Sequence, residues 1–302
     1  MRLVIILQFL LFSLLFGQNF EELARIGGEG REPGKFNKPL AVSVSKDGTV
    51  YVVDTGNNRI QLFDLKGELI KTVGGFGFQN DQFDTPTDIW TRSLINIYVA
   101  DYNNQRLQRY DRNMNFISTL TSNPSYSDEF HFFEISSIAV SSQNDLFMLD
   151  RGDNKIIKFN RDSRPERSFG SYESGQGELR QPEQLDILPD NRLIVTDIGR
   201  RSIIQFDNFG NYLGEIKHKE FKIPRGLAVS DKGRIFVSDP GAGKIFVISD
   251  DLKSISEVKN ISGLPLKHPQ DAAVWRGSGG GVKSQTLYII DENELIIGTL
   301  TD

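Results

Sequence analysis

Six polar residues have the types and positions that could bind a ligand or support chemistry: Asp88, Glu183, Gln184, Arg225, His268 and Asp271. Carboxylate and amide oxygens are ligands that Ca²⁺ accepts, and a bound Ca²⁺ could activate water or polarise a carbonyl group. The alternative is that these groups only hydrogen-bond water in a polar channel. Whether these residues bind a ligand or only channel water depends on the strands and loops that position them.

Other kinds of site are poorly supported. The chain has three His, at positions 131, 218 and 268, and none has the spacing of a paired metal ligand. It has no Cys, which excludes disulfides, Cys nucleophiles and thiolate metal sites. No phosphate-binding loop, dinucleotide fingerprint or nucleophile elbow is present. We therefore expect no cofactor, with Ca²⁺ as the alternative.

The charge balance bears on the choice of partner. The net charge is −5 and the pI is about 5.4. Nucleic-acid-binding domains usually carry a clear basic excess, and this chain has none. We therefore expect a protein or a small extracytoplasmic ligand as the partner, no nucleic acid, and a monomeric chain.

The first 17 residues have the pattern of an export signal. Met1 and Arg2 form a short basic segment, residues 3–16 are almost wholly apolar, and Gly17 offers a small residue for cleavage. The apolar run is shorter than the roughly 20 residues that span a bilayer. We predict a signal peptide at 1–17, no stable membrane span after cleavage, and a secreted or periplasmic protein. A retained membrane anchor is the alternative.

A repeat occupies the rest of the chain. Six apolar segments each end in an aspartate, with successive spacings of 47, 49, 47, 42 and 52 residues: Asp54, Asp101, Asp150, Asp197, Asp239 and Asp291. A carboxylate at the end of a strand can accept hydrogen bonds from the backbone of the turn that follows. We predict this structural role for all six, with the basic residue five positions later in most repeats pairing with a neighbouring acid.

Each repeat contains four strand signals separated by turn residues, as in a propeller blade. The sixth repeat ends after its third strand, and residues 21–39 match the fourth strand and loop of the other repeats. We therefore predict an all-β, six-bladed β-propeller over residues 18–302, with four antiparallel strands in each blade. In this arrangement the N-terminal strand completes the C-terminal blade and closes the ring.

The first strand of each repeat should line the central channel. It follows Pro39, Pro86, Ile135, Pro182, Pro224 or Pro269, and apolar positions alternate along it with positions that are small in some repeats and polar in others. The six polar residues named at the outset lie at or beside these strand starts. Because strand ends that meet at a concave pocket commonly bind ligands, we expect them to gather at one mouth of the channel.

The chain resembles the NHL-repeat family. The pattern is a Pro, a short apolar strand, a turn with Gly, a second apolar strand, Asp, and then a Gly-Asn-Asn-Arg-Ile sequence that begins a third strand. Residues 51–63 match it closely and residues 98–110 match it well. Repeats three to five match loosely, and the sixth departs most, with Glu292-Asn293-Glu294 in place of the turn. The resemblance implies a propeller that is commonly six-bladed and that binds proteins or ligands.

Two functions follow as expectations. The first is a non-catalytic scaffold that binds a protein or ligand through the loops before the first strands and the turns after each Asp. The alternative is a Ca-dependent hydrolase or lyase with its site at the channel mouth, because some propellers similar to this one are enzymes with a channel metal. The lyases of that group use His ligands, which this chain lacks. RNA binding, known in some intracellular NHL propellers, is disfavoured by the export signal and the acidity.

Overall fold

The computed structural model describes residues 18–93, 95–275 and 285–301, and the predicted signal peptide at 1–17 lies outside the described residues. Within these ranges the chain is all-β, as predicted. The described helices are short 3₁₀ segments at Thr55–Asn57, Asp128–Phe130 and Tyr172–Gly177. None of them has the length or apolar character needed to cross a membrane.

The strands follow the repeat closely. In chain order they are β1 (Gln18–Gly27), β2 (Ala41–Val44), β3 (Val50–Asp54), β4 (Arg59–Phe63), β5 (Leu69–Gly74), β6 (Pro86–Trp90), β7 (Ile97–Asp101), β8 (Arg106–Tyr110), β9 (Phe116–Thr121), β10 (Ile135–Val140), β11 (Leu146–Asp150), β12 (Lys155–Phe159), β13 (Pro165–Phe169), β14 (Pro182–Ile187), β15 (Leu193–Asp197), β16 (Ser202–Phe206), β17 (Tyr212–Lys217), β18 (Gly226–Val229), β19 (Ile235–Asp239), β20 (Lys244–Ile248), β21 (Ile255–Asn260), β22 (Pro269–Trp275), β23 (Gln285–Asp291) and β24 (Glu294–Thr301).

The described strands form five sheets. Four are separate blades of four strands in chain order, namely β2 to β5, β6 to β9, β10 to β13 and β14 to β17. The fifth is one continuous sheet of eight strands in the order β18-β19-β20-β21-β1-β24-β23-β22. The prediction of six separate four-stranded blades is therefore wrong, and the structure has four such blades and one eight-stranded sheet.

The N-terminal strand accounts for the difference. β1 pairs antiparallel with β24, from Asn19 opposite Thr301 to Gly27 opposite Glu294, so the predicted pairing of the two ends is present. The opposite edge of β1 is also used, because Gln18–Phe20 pair in parallel with residues 258–260 of β21. This second pairing joins the strands of the fifth and sixth repeats into one sheet. The sequence argument considered only one edge of β1.

The second strand of each repeat forms the centre of its sheet. β3, β11, β15 and β19 are buried along their whole length, because neighbouring sheets cover both of their faces. This double burial explains why these segments are continuous apolar runs instead of alternating ones. The apolar side chains pack in clusters between successive sheets; one cluster, for example, joins Tyr51 and Ile60 of the first repeat to Ile89 and Val99 of the second.

The first strands of the repeats, β2, β6, β10, β14, β18 and β22, are the inner strands. Each contacts the next one along the chain, and β22 contacts β2, so together they enclose a central channel. The loops that enter these strands and the turns that follow the repeated aspartates lie at the same end of the channel, since the two strands are antiparallel. We call this end the mouth face.

Candidate ligand site at the mouth of the central channel

The residue that follows the Pro or Ile at the start of each inner strand points into a cavity of about 230 Å³ at the mouth face. Two side chains from the turns after the repeated aspartates, Tyr102 and Arg151, complete its wall. We call this cavity the mouth pocket. The contributions of the inner strands to its rim are Leu40, Thr87, Ser136, Glu183, Arg225 and Gln270.

A charged network crosses the mouth pocket. Nη2 of Arg151 lies 3.0 Å from Oε1 of Glu183, and Nε of Arg225 lies 3.6 Å from Oε2 of the same carboxylate. Nη1 of Arg225 donates a hydrogen bond of 2.8 Å to the side-chain oxygen of Gln270. Two guanidinium groups from different repeats are thus held beside one buried carboxylate. Burial raises the pKa of Glu183, and the two neighbouring arginines oppose that rise.

The next residue along each inner strand closes the channel below the pocket. These residues, the axial belt, are Ala41, Asp88, Ser137, Gln184, Gly226 and Asp271. Each inner strand is the inner edge of its sheet, so some of its N–H groups have no strand partner. Asp88 Oδ2 accepts the N–H of Ile138 at 2.9 Å, and Asp271 Oδ2 accepts the N–H of Val42 at 2.9 Å.

Two further members of the axial belt make the same contact. The Oγ of Ser137 accepts the N–H of Leu185, and the side-chain oxygen of Gln184 accepts the N–H of Leu227. The belt is interrupted at Ala41 and at Gly226, neither of which has a side-chain acceptor to offer the next strand. In the strand after Ala41, Asp88 accepts the N–H of its own neighbour, Ile89, at 2.8 Å. The polar residues of the belt therefore connect successive inner strands.

The two carboxylates of the axial belt are almost fully buried. Burial raises the pKa of Asp88 to about 6, and its hydrogen bonds to Ser137 and Ile138 oppose the rise. Burial also raises the pKa of Asp271 well above its usual range, and the charge of Asp88 adds to the effect. Oδ1 of Asp271 has no hydrogen-bond partner among the described residues.

The structure separates the six predicted site residues into three groups. Glu183 and Arg225 lie on the rim of the mouth pocket, and Asp88 and Gln184 lie at its floor. Asp271 is buried beside the floor, where it contacts Val42 and Gln184. His268 is exposed and outside the pocket: its backbone N–H is held by Asp291, and its ring Nδ1 lies 3.3 Å from the carbonyl oxygen of Pro240.

Sequence reasoning missed Tyr102, Ser136, Arg151 and Gln270 as pocket residues. Two signals could have identified them. Ser136 and Gln270 occupy the same repeat position as Glu183 and Arg225. Tyr102 and Arg151 directly follow a repeated aspartate, at the same end of the channel as the strand starts.

The repeated aspartates hold the loops of the mouth face. All six are buried. Asp54 Oδ1 accepts the N–H of Asn37, 17 residues earlier, at 2.7 Å, and Asp101 Oδ1 accepts the N–H of Asp84 in the same way. Asp197 Oδ1 also accepts an N–H from its following turn, that of Arg200, at 3.0 Å. The aspartate therefore binds the loop before the inner strand, in addition to the turn that we predicted.

In the first two repeats an arginine strengthens this attachment. Nε of Arg59 donates to Oδ2 of Asp54 at 2.7 Å, so the arginine pairs with its own repeat's aspartate and not with a neighbouring acid. Its other nitrogens donate to the carbonyl oxygens of Arg31, Glu32 and Lys35. Arg106 makes the equivalent set of bonds to the loop at 75–85. The basic residue of the third repeat, Lys155, pairs instead with Asp153.

The loops of the mouth face expose large apolar side chains. Phe76 and Phe78 are 73% and 65% exposed in the loop that Arg106 holds, and Tyr172 is 85% exposed in the loop at 170–181. Phe133, at the end of the loop at 121–134, is also exposed. The guanidinium carbon of Arg106 lies 4.6 Å from the ring centre of Phe78, which fixes that ring in position.

The geometry of the carboxylates fits a Ca²⁺ site poorly. Calcium needs six to eight oxygen ligands. Both oxygens of Asp88 and one of Asp271 already accept hydrogen bonds from backbone N–H groups. Within residues 18–93, 95–275 and 285–301 no three His, Cys, Asp or Glu side chains are grouped closely enough to hold a metal. The channel carboxylates therefore leave Ca²⁺ too few free oxygen ligands.

The opposite mouth of the channel has a different character. An ion pair crosses it, in which Nη1 and Nη2 of Arg92 lie 2.7 and 2.6 Å from the two oxygens of Asp186. In this bidentate pair the guanidinium of Arg92 and the carboxylate of Asp186 neutralise each other. The wider cavity there, about 520 Å³, is lined largely by Trp90, serines and aliphatic side chains. Two exposed charged residues, Lys46 and Asp231, also line this cavity.

Comparison with known families and proteins points to one repeat type. The NHL repeat model matches residues 36–63. The Drosophila melanogaster protein brain tumor is 27% identical over 125 residues, which are 41% of this chain and 12% of that protein. The human E3 ubiquitin-protein ligase TRIM32 is 47% identical over 47 residues, 16% of this chain and 7% of the ligase. The similarity thus covers only a small part of these longer relatives.

Solved structures share the fold at low sequence identity. A streptogramin B lyase aligns with a TM-score of 0.62 and 14% identity, covering 92% of this chain and 97% of the lyase. Virginiamycin B lyase from Staphylococcus aureus aligns with a TM-score of 0.59 and 17% identity, covering 88% of this chain and 81% of that structure. At this identity the likeness concerns the fold alone.

Proposed function

The chain belongs to the NHL-repeat propeller family, and from this premise we propose that it is a non-catalytic scaffold that binds a protein or ligand through its mouth face. Loops on a rigid scaffold commonly carry recognition, and here the loops surround a pocket. The scaffold would present the exposed rings and the mouth pocket as one surface.

The observation that carries the proposal is the exposure of aromatic side chains on loops that are themselves firmly held. Exposed aromatic groups at a concave surface are typical of binding sites. Phe76 and Phe78 belong to a loop whose backbone carbonyls accept four hydrogen bonds from Arg106 and Gln108. A surface fixed in this way loses little conformational entropy on binding.

The experiment is a comparison of two alanine sets in the full chain. One set removes Phe76, Phe78 and Tyr172 from the mouth face, and the control set removes Ile95 and Phe209, which are 70% and 61% exposed in turns at the other end of the channel. Proteins captured from host extracts are quantified by mass spectrometry. A partner that the mouth-face set loses and the control set retains supports the proposal. Equal loss in both sets, or in neither, contradicts it.

The alternative is a Ca-dependent hydrolase or lyase at the channel mouth. One observation favours it: the unpartnered Oδ1 of Asp271 is buried next to Asp88. The other carboxylate oxygens of Asp88 and Asp271 already accept hydrogen bonds from backbone N–H groups, which argues against a Ca²⁺ site. Isothermal titration with Ca²⁺ of the wild type and of Asp88→Ala/Asp271→Ala decides the matter, because a wild type that binds no Ca²⁺ rules this mechanism out.

We also propose that the chain is exported to the periplasm or the exterior and functions as a monomer. The support is the basic and apolar pattern of residues 1–17. Fusion of this segment to a reporter enzyme tests the export. Release of the cleaved reporter is expected, whereas a reporter that stays attached to membranes indicates the anchor instead. Light scattering of the purified chain measures its oligomeric state.

A further inference from the structure

Two arginines of the mouth pocket differ from the other arginines at the same end of the channel. Arg59 and Arg106 each donate four hydrogen bonds to a buried aspartate and to loop carbonyls, and their side chains are 11% and 4% exposed. Arg151 and Arg225 are 37% and 29% exposed at the pocket rim. They contact only one carboxylate, Glu183, and one amide, Gln270.

The remaining donors of these two arginines are free. Nη2 of Arg225 and Nε of Arg151 have no partner among the described residues. A guanidinium carries five N–H donors in a planar fork that matches the two oxygens of a carboxylate. The two groups share the single carboxylate that contacts them, while the other carboxylate of the pocket, Asp88, lies at its floor and accepts backbone N–H groups.

Ser136 is a second and independent indication. It lines the same cavity and is 7% exposed, and its Oγ has no hydrogen-bond partner among the described residues. A buried hydroxyl without a partner costs free energy unless water or a ligand satisfies it. Its neighbour in the next strand position, Ser137, is fully used by Asp88 and Leu185. The hydroxyl of Ser136 is therefore an unpaired donor buried in the wall of this cavity.

We propose that the mouth pocket binds a carboxylate group, held by Arg151 and Arg225 with Ser136 as an additional donor. The group belongs to a small carboxylic acid or to the C-terminus of a peptide, since both offer the same chemistry and the cavity has room for either. This inference rests on the proposed binding role of the mouth face and names the chemistry of its centre. Glu183 bridges the two guanidiniums and competes with the ligand for them.

The test is isothermal titration of the full chain with succinate, citrate, a free-acid tripeptide and the C-terminal amide of that tripeptide. Binding of a carboxylate probe should weaken about tenfold or more in both Arg151→Gln and Arg225→Gln, as expected when one charged contact is lost. Arg161→Gln, which changes an exposed turn residue, is the matched control and should bind as the wild type does. Preference for the free-acid tripeptide over its amide identifies a peptide terminus, and preference for succinate or citrate identifies a small acid.

The variant Glu183→Gln separates ligand binding from a purely structural role of the charged network, because only a ligand site should gain affinity from it. The substitution keeps the shape and removes the competing charge, so carboxylate affinity should rise at least several-fold. Absence of binding by every probe at about 10 mM, or binding that neither arginine substitution weakens, overturns the proposal. Because these titrations contain no protein partner, their failure would leave the alanine-set experiment on the mouth face unaffected.

Discussion

The carboxylate of Asp88 joins two inner strands: its Oδ2 accepts the backbone N–H of Ile138, 2.9 Å away in the next repeat, and the hydroxyl of Ser137. The residue thereby satisfies an edge N–H that no strand can pair.

Removal of this acceptor should destabilise the ring. In Asp88→Ala the N–H of Ile138 and the hydroxyl of Ser137 lose their shared partner in a buried setting, which should cost about 1–3 kcal/mol. Urea denaturation followed by circular dichroism measures the change. Asp162→Ala, in an exposed turn, is the control and should lie within about 0.5 kcal/mol of the wild type. An equal stability of the two variants would show that the axial belt contributes little.

The same residue predicts a pH dependence. Burial raises the pKa of Asp88 to about 6 in the folded protein, above the value of about 3.9 for an unfolded chain. The folded state therefore binds more protons between about pH 4 and pH 6, and this group's contribution to stability falls as the pH rises through that window. Asp271 acts in the same direction, because its pKa is also raised.

The measurement is the free energy of unfolding of Asp88→Asn relative to the wild type, from pH 4.5 to 7.5. The variant should gain stability relative to the wild type as the pH rises, by about 2 kcal/mol across the window. Asp162→Asn removes the same charge from an exposed turn and controls for net charge. A difference that stays flat with pH would show that Asp88 is ionised as easily in the folded state as in the unfolded chain.

Arg59 should be difficult to replace even by lysine. A lysine retains the charge beside Asp54 but cannot reach the carbonyls of Arg31, Glu32 and Lys35 together. We expect Arg59→Lys to lose about 2–3 kcal/mol and the loop at 28–38 to become sensitive to protease. Arg161→Lys is the matched control. Unchanged stability and unchanged cleavage of Arg59→Lys would mean that the loop is held by Asp54 alone.

Gly226 should tolerate no side chain, because two inner strands approach each other closely there. A Cβ at this position would lie 2.5 Å from the carbonyl oxygen of Gln270 and 2.6 Å from Cα of Asp271, both of them backbone atoms. Gly226→Ala should cost about 1–3 kcal/mol by forcing β18 away from β22. At Gly152 the nearest atom would be 3.4 Å away, so Gly152→Ala should be far milder. Thermal denaturation of both variants compares them.

Much of the fold could be predicted from the sequence, because the repeated apolar runs and aspartates fix the positions of strands and turns. The pairing of β1 with β24 followed from a missing strand in the sixth repeat. The parallel pairing of β1 with β21 could not be predicted, because it depends on how far residues 18–20 extend along the edge of β21. Local sequence contains no information about that distance.

The candidate site could be predicted only in part. Position within the repeat identified the strand starts, and so placed Glu183 and Arg225 near the channel, where they line the mouth pocket. It could not show that Asp88, Gln184 and Asp271 point to backbone N–H groups of the next repeat, because that contact lies between residues 43 to 229 positions apart.

The side-by-side placement of Asn19 and Thr301 has a mechanical consequence. The two ends of the described chain leave the molecule at one point, so a short linker could join them while new ends are opened in an exposed turn such as 161–164 without the loss of a strand pair. Tension between the original ends would act differently. It would load the hydrogen bonds between β1 and β24 one after another, so the molecule should open there first under force.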